Sequence, residues 1–409
     1  MTEGAAPLRD GARRAVSPEV TWERLAPLLP VFGISRVANI TGLDRIGIPV
    51  FTACRPNGRS LSVFQGKGVS VMAARVSAVM EAYETWCAER IDAPLRLASA
   101  EEMAFAHPIA ELGSLPLADP EGFDPSAPFL WIEGEDLAGG GTAYVPFELV
   151  HTHYALPEPQ HSGAFNATTN GLASGNTLME ATLHALMEVI ERDAVTLWKL
   201  SPAAWSGASA VRLDTVTDPA CAHLLSLFAG AGIDVAVFDA TSDIGLPTFL
   251  ALIDDAAGVS GAPEIGQGTH PSPAVALSRA LTEAAQARAT FIAGAREDIG
   301  AHDYGEAEVS ARRRAARNVF DGLTPSRDFA AIRSVETASI EADVAHAIDA
   351  LKGVGLDQVI CVDVSRKGLP FSVVRVVVPG LEAAWEGPQS GLVPGPRALA
   401  VLSAVEAAA

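Results

Sequence analysis

Acidic side chains recur along one side of the helix that the sequence predicts between Thr169 and Asp193. With His184, they fall within an arc of roughly 80° at about 100° per residue. The acids are Glu180, Glu188 and Glu191. Like charges at this spacing repel by roughly 0.2–0.5 kcal/mol per pair when exposed, and burial would raise that cost. The apolar stripe of the helix is centred about 120° away, so the acids flank the buried face. This arrangement predicts a metal ion held in a cleft.

Two simpler interpretations of this helix stay open. Thr177 and Glu180 have the spacing of a capping box, in which the glutamate serves only the helix end. A solvated run of charges with Arg192 as internal counterion also fits Glu188, Glu191, Arg192 and Asp193. Recurrence of the same layout elsewhere in the chain is what favours the metal site.

A second predicted helix, about Val69–Arg90, repeats the arrangement. Ser77, Glu81 and Glu84 lie on one face, and Lys67 stands between two glycines just before the helix begins. Glycines there would let backbone N–H groups approach an anion, and helix N-termini bind phosphates for that reason. The pattern predicts a phosphate near Lys67 with carboxylates one and two turns further along.

A third predicted helix, about Pro273–Ile292, places Arg279, Glu283 and Gln286 on one face. It follows a further glycine turn at Gly266–Gly268. Three helices with carboxylates, cations and glycine turns together indicate a nucleoside triphosphate site with Mg²⁺, because this ion is commonly held by a few carboxylates and substrate phosphates. Lys67, Arg192 and Arg279 are the candidates for the phosphate charge.

The standard nucleotide motifs are missing. Gly68 stands where a P-loop has Ser or Thr after its lysine, and no G-x-G-x-x-G occurs between a predicted strand and helix. An unusual nucleotide site is therefore expected.

These residues carry a family resemblance. The chain resembles the YcaO family over about Pro30 to Ala400, in the family's order. The matching blocks are SRVANITGLDRIGIPVFTACRPNG, GKGVSVMAARVSAVMEAYE, TNGLASGNTLMEATLHALMEVIERDA, GTHPSPAVALSRALTEAAQAR and VSRKGLPFSVVRVVVPGLE.

The resemblance implies ATP-dependent activation of a peptide backbone amide. A nucleophile adds to the carbonyl, the resulting oxyanion takes the γ-phosphoryl group, and phosphate then leaves. The residues predicted to contact the nucleotide are Lys67, Ser77, Asn176, Arg192, Arg279 and Gln286. The predicted magnesium ligands are Glu81, Glu84, Glu180, Glu188 and Glu191. No residue is assigned a separate catalytic role, since phosphoryl transfer depends mainly on positioning and charge neutralisation.

The C-terminal region bears on the nucleophile. YcaO proteins that form azolines typically end in P-x-P-x-P, whereas this chain has only Pro394 and Pro396 before a proline-free end. The segment SGLVPGPRA is similar to that of YcaO proteins that act with a TfuA partner, which implies thioamide formation. Azoline cyclodehydration with a separate partner protein stays open, as does a non-catalytic ATP-binding scaffold.

Composition and periodicity predict an α+β fold of mixed or antiparallel sheets flanked by helices, with internal pseudo-duplication. Of the 409 residues, 49% are hydrophobic and 19% charged, which is typical of a globular protein. We expect a loosely ordered arm over residues 1–25, one catalytic domain over 26–400 with an insertion at 301–328, and a tail over 401–409. Residues 94–128 are predicted to be an irregular connection.

Charge and motifs limit the partners and the compartment. A net charge of −20 disfavours nucleic acid. No apolar run reaches the roughly 20 residues of a membrane span, and the start lacks the apolar core of a signal peptide. Four scattered cysteines indicate neither a zinc site nor a disulfide framework. A cytoplasmic protein with a peptide substrate is expected, and a homodimer is a family-level expectation.

Three histidines invite other roles. His151 and His153 are spaced as a chelating pair, but no third ligand stands at usable spacing, which disfavours a metal there. His270 follows the third glycine turn, and contact with nucleotide and capping of the next helix are equally compatible with its position.

Overall fold

A computed structural model describes residues 8–9, 12–118, 123–165, 167–255, 261–384 and 393–408. The β-strands are β1 (Leu8–Arg9), β2 (Ala12–Arg13), β3 (Arg36–Asn39), β4 (Val50–Cys54), β5 (Val63–Lys67), β6 (Leu95–Ala98), β7 (Phe129–Asp136), β8 (Thr142–Pro146), β9 (Leu172–Gly175), β10 (Val211–Arg212), β11 (Asp234–Asp239), β12 (Thr248–Asp254), β13 (Glu264–Thr269), β14 (Arg327–Asp328), β15 (Ile360–Asp363) and β16 (Ser372–Val377). The α-helices are α1 (Pro18–Leu25), α2 (Val71–Ala88), α3 (Ala100–Ala106), α4 (Leu178–Leu200), α5 (Pro219–Gly230), α6 (Pro273–Ala293), α7 (Glu306–Gly322), α8 (Ile340–Gly353) and α9 (Pro396–Ala408).

The chain divides into two compact units. The first unit comprises Met1–Tyr83, Ala203–Thr241 and Leu246–Ala338; the second comprises Glu84–Pro202, Ser242–Gly245 and Ser339–Ala409.

The first unit contains the same motif twice. Strands β3, β4 and β5 form an antiparallel sheet that leads into α2, and β11, β12 and β13 form another that leads into α6. In each sheet a buried phenylalanine of the middle strand lies opposite a glycine: Phe51 opposite Gly66, and Phe249 opposite Gly268. The predicted α+β fold with internal pseudo-duplication is confirmed.

The glycines beside these helices serve packing. Gly66, Gly266 and Gly268 lie inside β5 and β13, and a Cβ atom on Gly268 would stand 2.1 Å from the carbonyl oxygen of Ala276 in α6. A Cβ on Gly66 would likewise stand 2.0 Å from the backbone nitrogen of Ala78 in α2. These glycines are therefore required for close packing of strand against helix, and the approach of an anion to their backbone N–H groups stays a prediction.

Replacing Gly268 by alanine is expected to destabilise the protein by about 3 kcal/mol or more, since overpacking forces backbone shifts. Urea unfolding would measure the loss. Gly42 is the matched control, because a Cβ there meets nothing within 4 Å, and Gly42→Ala should change stability by less than about 0.5 kcal/mol. Equal stability of the two variants would contradict the helix–strand contact.

The core of the first unit lies between β11–β13 and the helices α5 and α6. Phe228, Phe249, Leu277 and Leu281 are fully buried there. Alternating apolar residues on the strands and an i, i+3, i+4 stripe on α6 bring these side chains to one side of each element.

The second unit is built on a six-stranded sheet in the order β6-β7-β15-β16-β9, with β8 paired to β7. Helix α4 packs on β9 and β16 and is flanked by α8 and α9. The described strand pairs of this sheet are antiparallel. This sheet and α4 position the acids discussed below.

Part of the irregular connection predicted over residues 94–128 is regular in the structure. It contains β6 and α3, and the start of α3 is fixed by a capping box in which Ser99 and Glu102 bond reciprocally to each other's backbone. The S-x-x-E spacing was a usable signal for this helix. In the predicted N-terminal arm, Pro18–Leu25 form α1 with Ser17 as its cap.

None of the helices in the described ranges combines the length and the apolar character that crossing a bilayer requires.

Candidate functional site

Helix α4 begins at a hydrogen-bonded cluster of predicted site residues. The Thr177 side chain caps the helix by accepting from the backbone N–H of Glu180 at 3.1 Å. The Asn176 side-chain amide donates to both carboxylate oxygens of Glu180 at 3.4 Å. Glu180 is buried. Asn176 and Glu180, both predicted from the sequence, are thus brought together.

The acids further along α4 are withdrawn from solvent. Glu191 is only 2% exposed, and Glu188, His184 and Arg192 are half-buried. Burying a carboxylate is costly unless charges or hydrogen bonds compensate it. The alternative interpretation of this stretch as a solvated run of charges is therefore wrong.

Arg375 on β16 lies within the electrostatic influence of two of the predicted magnesium ligands. Its side chain is buried, and burial lowers its pKa to about 10, while Tyr154, Glu188 and Glu84 act in the opposite direction. Glu84 belongs to α2 and Glu188 to α4. Carboxylates from two helices therefore act on one buried guanidinium.

A second group of predicted residues lies in the first unit. The Lys67 ammonium pairs with the carboxylate of Glu283, and the same carboxylate accepts from the backbone N–H of Gln267 at 3.3 Å. Arg279, one turn before Glu283, and Gln286, one turn after it, are on the same helix. Glu283 was not among the predicted ligands, although its spacing placed it on the same face of α6 as Arg279 and Gln286.

His270 precedes α6 and is held neutral. Its Nδ1 atom accepts from the backbone N–H of Ser272 at 3.0 Å, which fixes the turn into the helix. Burial, followed by the charges of Arg279, Arg13 and Arg14, lowers its pKa to about 3. His270 therefore has a structural role in the turn that leads into α6. The positive charges of Arg279, Arg13 and Arg14 all act on this position beside α6.

The acid face of α2 is partly shielded as well. Ser77 and Glu81 are half-buried. The pKa of Arg296 is raised, first by a hydrogen bond with Asp298 and further by the charges of Asp298 and Glu81. The charge of Glu81 therefore acts to raise the pKa of Arg296 in the first unit. The charge of Glu84 acts in the same direction on Arg375 in the second unit.

The donor set fits Mg²⁺ in kind. The predicted ligands are carboxylates, which are the oxygen donors that this ion prefers. Within the described ranges, no three His, Cys, Asp or Glu side chains are gathered in a metal-binding arrangement. The assignment of individual ligands accordingly stays a prediction.

His151, by contrast, has a structural role. Its Nδ1 atom accepts from the backbone N–H of His153 at 3.0 Å, and burial lowers its pKa to about 4. Two buried thiols are unsuited to nucleophilic chemistry. Burial raises the pKa of Cys361 to about 11, and it also raises the pKa of Cys221.

Asp193 ties α4 to the C-terminal helix. Its fully buried carboxylate accepts from Nε of Arg397 at 2.9 Å, from Nη2 of Arg397 at 3.1 Å, and from the backbone N–H of Glu382 at 3.0 Å. The Glu382 carboxylate in turn accepts from the backbone N–H groups of Gly395 and Ala398 at the start of α9. No spacing pattern in the sequence predicts this pairing.

Known proteins resemble this chain closely enough to define its family. A family model described as YcaO cyclodehydratase, ATP- and Mg²⁺-binding, matches residues 65–382. The chain is 37% identical over 394 residues to an uncharacterised protein in the tfuA 3′ region of Rhizobium leguminosarum bv. trifolii, a match that covers 95% of this chain and 93% of that protein. It is also 37% identical over 394 residues to an uncharacterised protein of Methanothermobacter thermautotrophicus, covering 92% of this chain and 97% of the relative.

Solved structures share the fold. The YcaO protein of Methanopyrus kandleri, bound with AMPPCP and Mg²⁺, superposes with a TM-score of 0.76 at 24% identity, over 96% of this chain and 98% of that one. A heterocyclase in complex with substrate and cofactor gives a TM-score of 0.75 at 23% identity over 94% of this chain, which spans 55% of the heterocyclase chain.

The family model that matches residues 65–382 places the chain in an ATP- and Mg²⁺-binding, cyclodehydratase-like class of protein. The chain belongs to the YcaO family. The predictions of the family and of ATP and Mg²⁺ as cofactors are confirmed at that level.

Proposed function

We propose that this protein uses ATP and Mg²⁺ to phosphorylate the oxygen of a backbone amide in a ribosomally made peptide or protein, and that sulfide replaces this oxygen to give a thioamide. The observation that carries the choice of thioamide is the relative in the tfuA 3′ region, to which 95% of this chain aligns. A TfuA-type partner would assist sulfur delivery. A homodimer stays a family-level prediction.

This reaction requires little covalent catalysis by the protein. Hydrosulfide adds to the carbonyl carbon, and the resulting oxyanion takes the γ-phosphoryl group while ADP leaves. Loss of the S–H proton to solvent then lets the C=S bond form as the C–O bond breaks and releases phosphate. Phosphoryl transfer needs positioning and charge neutralisation. When bound, Mg²⁺ would neutralise phosphate charge, held by carboxylates among Glu81, Glu84, Glu180, Glu188 and Glu191.

The remaining roles fall to cations and amides. Arg192 and Arg279 would contact the phosphates, with Ser77, Asn176 and Gln286 nearby. Lys67, paired with Glu283, would hold that carboxylate in place and add positive charge beside α6.

Azoline formation is the second candidate. The fold of a heterocyclase that holds substrate and cofactor supports it, with a TM-score of 0.75. In that reaction a cysteine, serine or threonine side chain of the peptide takes the place of sulfide. A non-catalytic scaffold is a third candidate, and the burial of Glu180 and Glu191 disfavours it because a scaffold needs no buried acids.

One experiment separates the candidates. The protein is incubated with ATP, Mg²⁺, sulfide, a TfuA-type partner and a candidate peptide encoded near its gene, and the peptide is weighed. Exchange of oxygen for sulfur raises the mass, and ring closure with loss of water lowers it. An unchanged mass without phosphate release, over all candidate peptides, would contradict both enzymatic proposals.

A further inference from the structure

A groove of about 480 Å³ lies beside helix α3 in the second unit. That volume is within the roughly 300–1,000 Å³ of pockets that bind ligands. Its walls are largely apolar and include Ala104 of α3 together with Ile109, Leu112 and Pro125. None of the described residues that line it was assigned above to the nucleotide or to Mg²⁺, so the groove is a second site.

Hydrogen bonds hold two parts of the groove wall in place. The side chain of Gln358 accepts from the backbone N–H of Glu111 at 3.0 Å and donates to the carbonyl oxygen of Ile109 at 3.2 Å. The backbone N–H of Ala100, the first residue of α3, donates to the carbonyl oxygen of Pro125 at 3.0 Å. A ligand therefore meets a wall that is already formed, which lowers the entropic cost of binding.

An exposed aromatic side chain extends the apolar surface. Phe105 is 95% exposed. It follows Glu101, which lines the groove, by four residues of α3, so the two side chains share one side of the helix. Exposed apolar surface rimmed by polar residues marks interaction sites. The groove and Phe105 together favour a ligand with a large apolar side chain.

The charges of the groove select the rest of the ligand. Glu101 and Glu111 line it and are exposed, and no lysine, arginine or histidine lines it among the described residues. The net charge of −20 adds to this negative potential. A second copy of this chain would bring the same charges and be repelled, whereas a segment with lysine or arginine would be attracted.

The size of the groove limits the occupant to a short segment. A stable interface between folded proteins buries about 1,200–2,000 Å², whereas this groove has room for only a few side chains. Short peptide segments bind in this way, with apolar anchors in a groove and specificity from the flanking residues. A peptide substrate fits these limits better than a folded partner.

We propose that the groove lined by Glu101 and Glu111 binds a recognition segment of the peptide substrate, one that carries a large apolar residue flanked by lysine or arginine and lies apart from the amide that is modified. This proposal rests on the proposed function and names a part of its substrate. Binding of this segment keeps the reacting amide at a high effective concentration near the candidate site. It therefore sets the affinity for the peptide and not the rate of the chemical step.

Two synthetic peptides test the groove without ATP chemistry. One is acetyl-Lys-Leu-Phe-Lys-amide, and the other has glutamate in place of both lysines. In saturation-transfer NMR on the full chain at low salt, the basic peptide should bind about tenfold or more tightly than the acidic one, because charge complementarity selects between them. Added salt should reduce this difference. Equal affinity of the two peptides, or no binding of either, would overturn the proposal.

Three variants locate the binding. Glu111→Lys should weaken binding of the basic peptide about fivefold or more, because like charges then meet. Asp349→Lys is the matched control: it makes the same charge change at an exposed position of α8 that does not line the groove, and it should leave binding unchanged. Ala104→Phe should abolish binding by filling the groove. Ala104 and Glu111 are exposed, so both variants should keep the unfolding midpoint. Undiminished binding to Ala104→Phe would overturn the proposal.

The peptide assay distinguishes this proposal from the proposed function. Glu111→Lys should raise the KM for a modified peptide about fivefold with kcat unchanged, which is the signature of lost uniform binding. Modification with an unchanged KM would support the function and overturn the docking of substrate, also where Glu111→Lys weakened the affinity for a TfuA-type partner instead. Selective binding of the basic peptide, with no modification of any candidate peptide, would support the groove and contradict the function.

Discussion

Phosphate release should fall about a thousandfold or more when Glu191 is replaced by glutamine. Glutamine matches glutamate in size, so packing at this position, which is 2% exposed, is retained. Removing one carboxylate charge from the proposed magnesium site costs several kcal/mol of transition-state stabilisation, and about 1.4 kcal/mol is tenfold in rate. Release of inorganic phosphate from ATP in the presence of peptide measures the effect.

Asp214→Asn is the matched control, because Asp214 is an exposed acid and its substitution should leave the rate unchanged. The unfolding midpoint of Glu191→Gln should stay close to that of the unsubstituted protein. A fully active Glu191→Gln would remove this residue from the site. Loss of activity together with loss of folding would assign Glu191 a structural role instead.

Local sequence patterns account for most of the fold. Runs such as Thr248–Asp254 and Ser372–Val377 are rich in β-branched or aromatic residues and end near Gly, Pro or Asp, a pattern that predicts strands. Both form strands in the structure. The helices with apolar residues at helical spacing formed close to their predicted bounds, for example α6 at Pro273–Ala293. These elements are specified locally, and so their positions can be predicted from a single sequence.

The glycines before α2 and α6 show what a local sequence pattern cannot distinguish. A glycine that admits a phosphate and a glycine that admits a helix backbone have the same sequence signature, since both positions exclude a Cβ atom. The spatial neighbour of Gly268, the Ala276 carbonyl oxygen, shows the packing role. The transitions into α2 and α6 belong to the two copies of the duplicated motif, and the anion contact stays a prediction.

Only part of the candidate site could be predicted, because spacing rules connect residues of one helix but not residues that are distant in sequence. Helical spacing placed Glu180, Glu188 and Glu191 on one side of α4, where Glu180 and Glu191 are buried and Glu188 is half-buried. Arg375 was not predicted as a site residue, because it stands among valines in the sequence and that pattern predicts only a strand. A buried arginine requires compensating charge, but Glu84 and Glu188, whose charges act to raise its pKa, are distant in sequence and no spacing rule connects them.

Replacing Arg397 by methionine should destabilise the protein by about 3–5 kcal/mol, the cost of leaving a buried carboxylate without its partner. Arg397 makes a two-pronged pair with Asp193, whose side chain is fully buried. The pair joins α9 to the turn of α4 that also carries Glu191 and Arg192, so loosening it should lower activity as well. Urea unfolding at neutral pH measures the loss of stability.

The pH dependence of this loss identifies its cause. Burial raises the pKa of Asp193 to about 6, and Arg397 opposes that rise. A carboxyl with a higher pKa in the folded than in the unfolded chain contributes stability at low pH, and that contribution is lost as the pH rises from about 4 to about 6. Without Arg397 the pKa should rise further, so the penalty of Arg397→Met should shrink as the pH falls.

Two further variants complete the argument about Arg397. Adding Asp193→Asn to Arg397→Met removes the unpaired charge and should recover much of the stability at neutral pH. Arg212→Met breaks an exposed pair with Asp214 and should cost less than about 1 kcal/mol at any pH. If Arg397→Met lost no more stability than Arg212→Met, the buried pair would not anchor α9, since an uncompensated carboxylate at a fully buried position cannot be without cost.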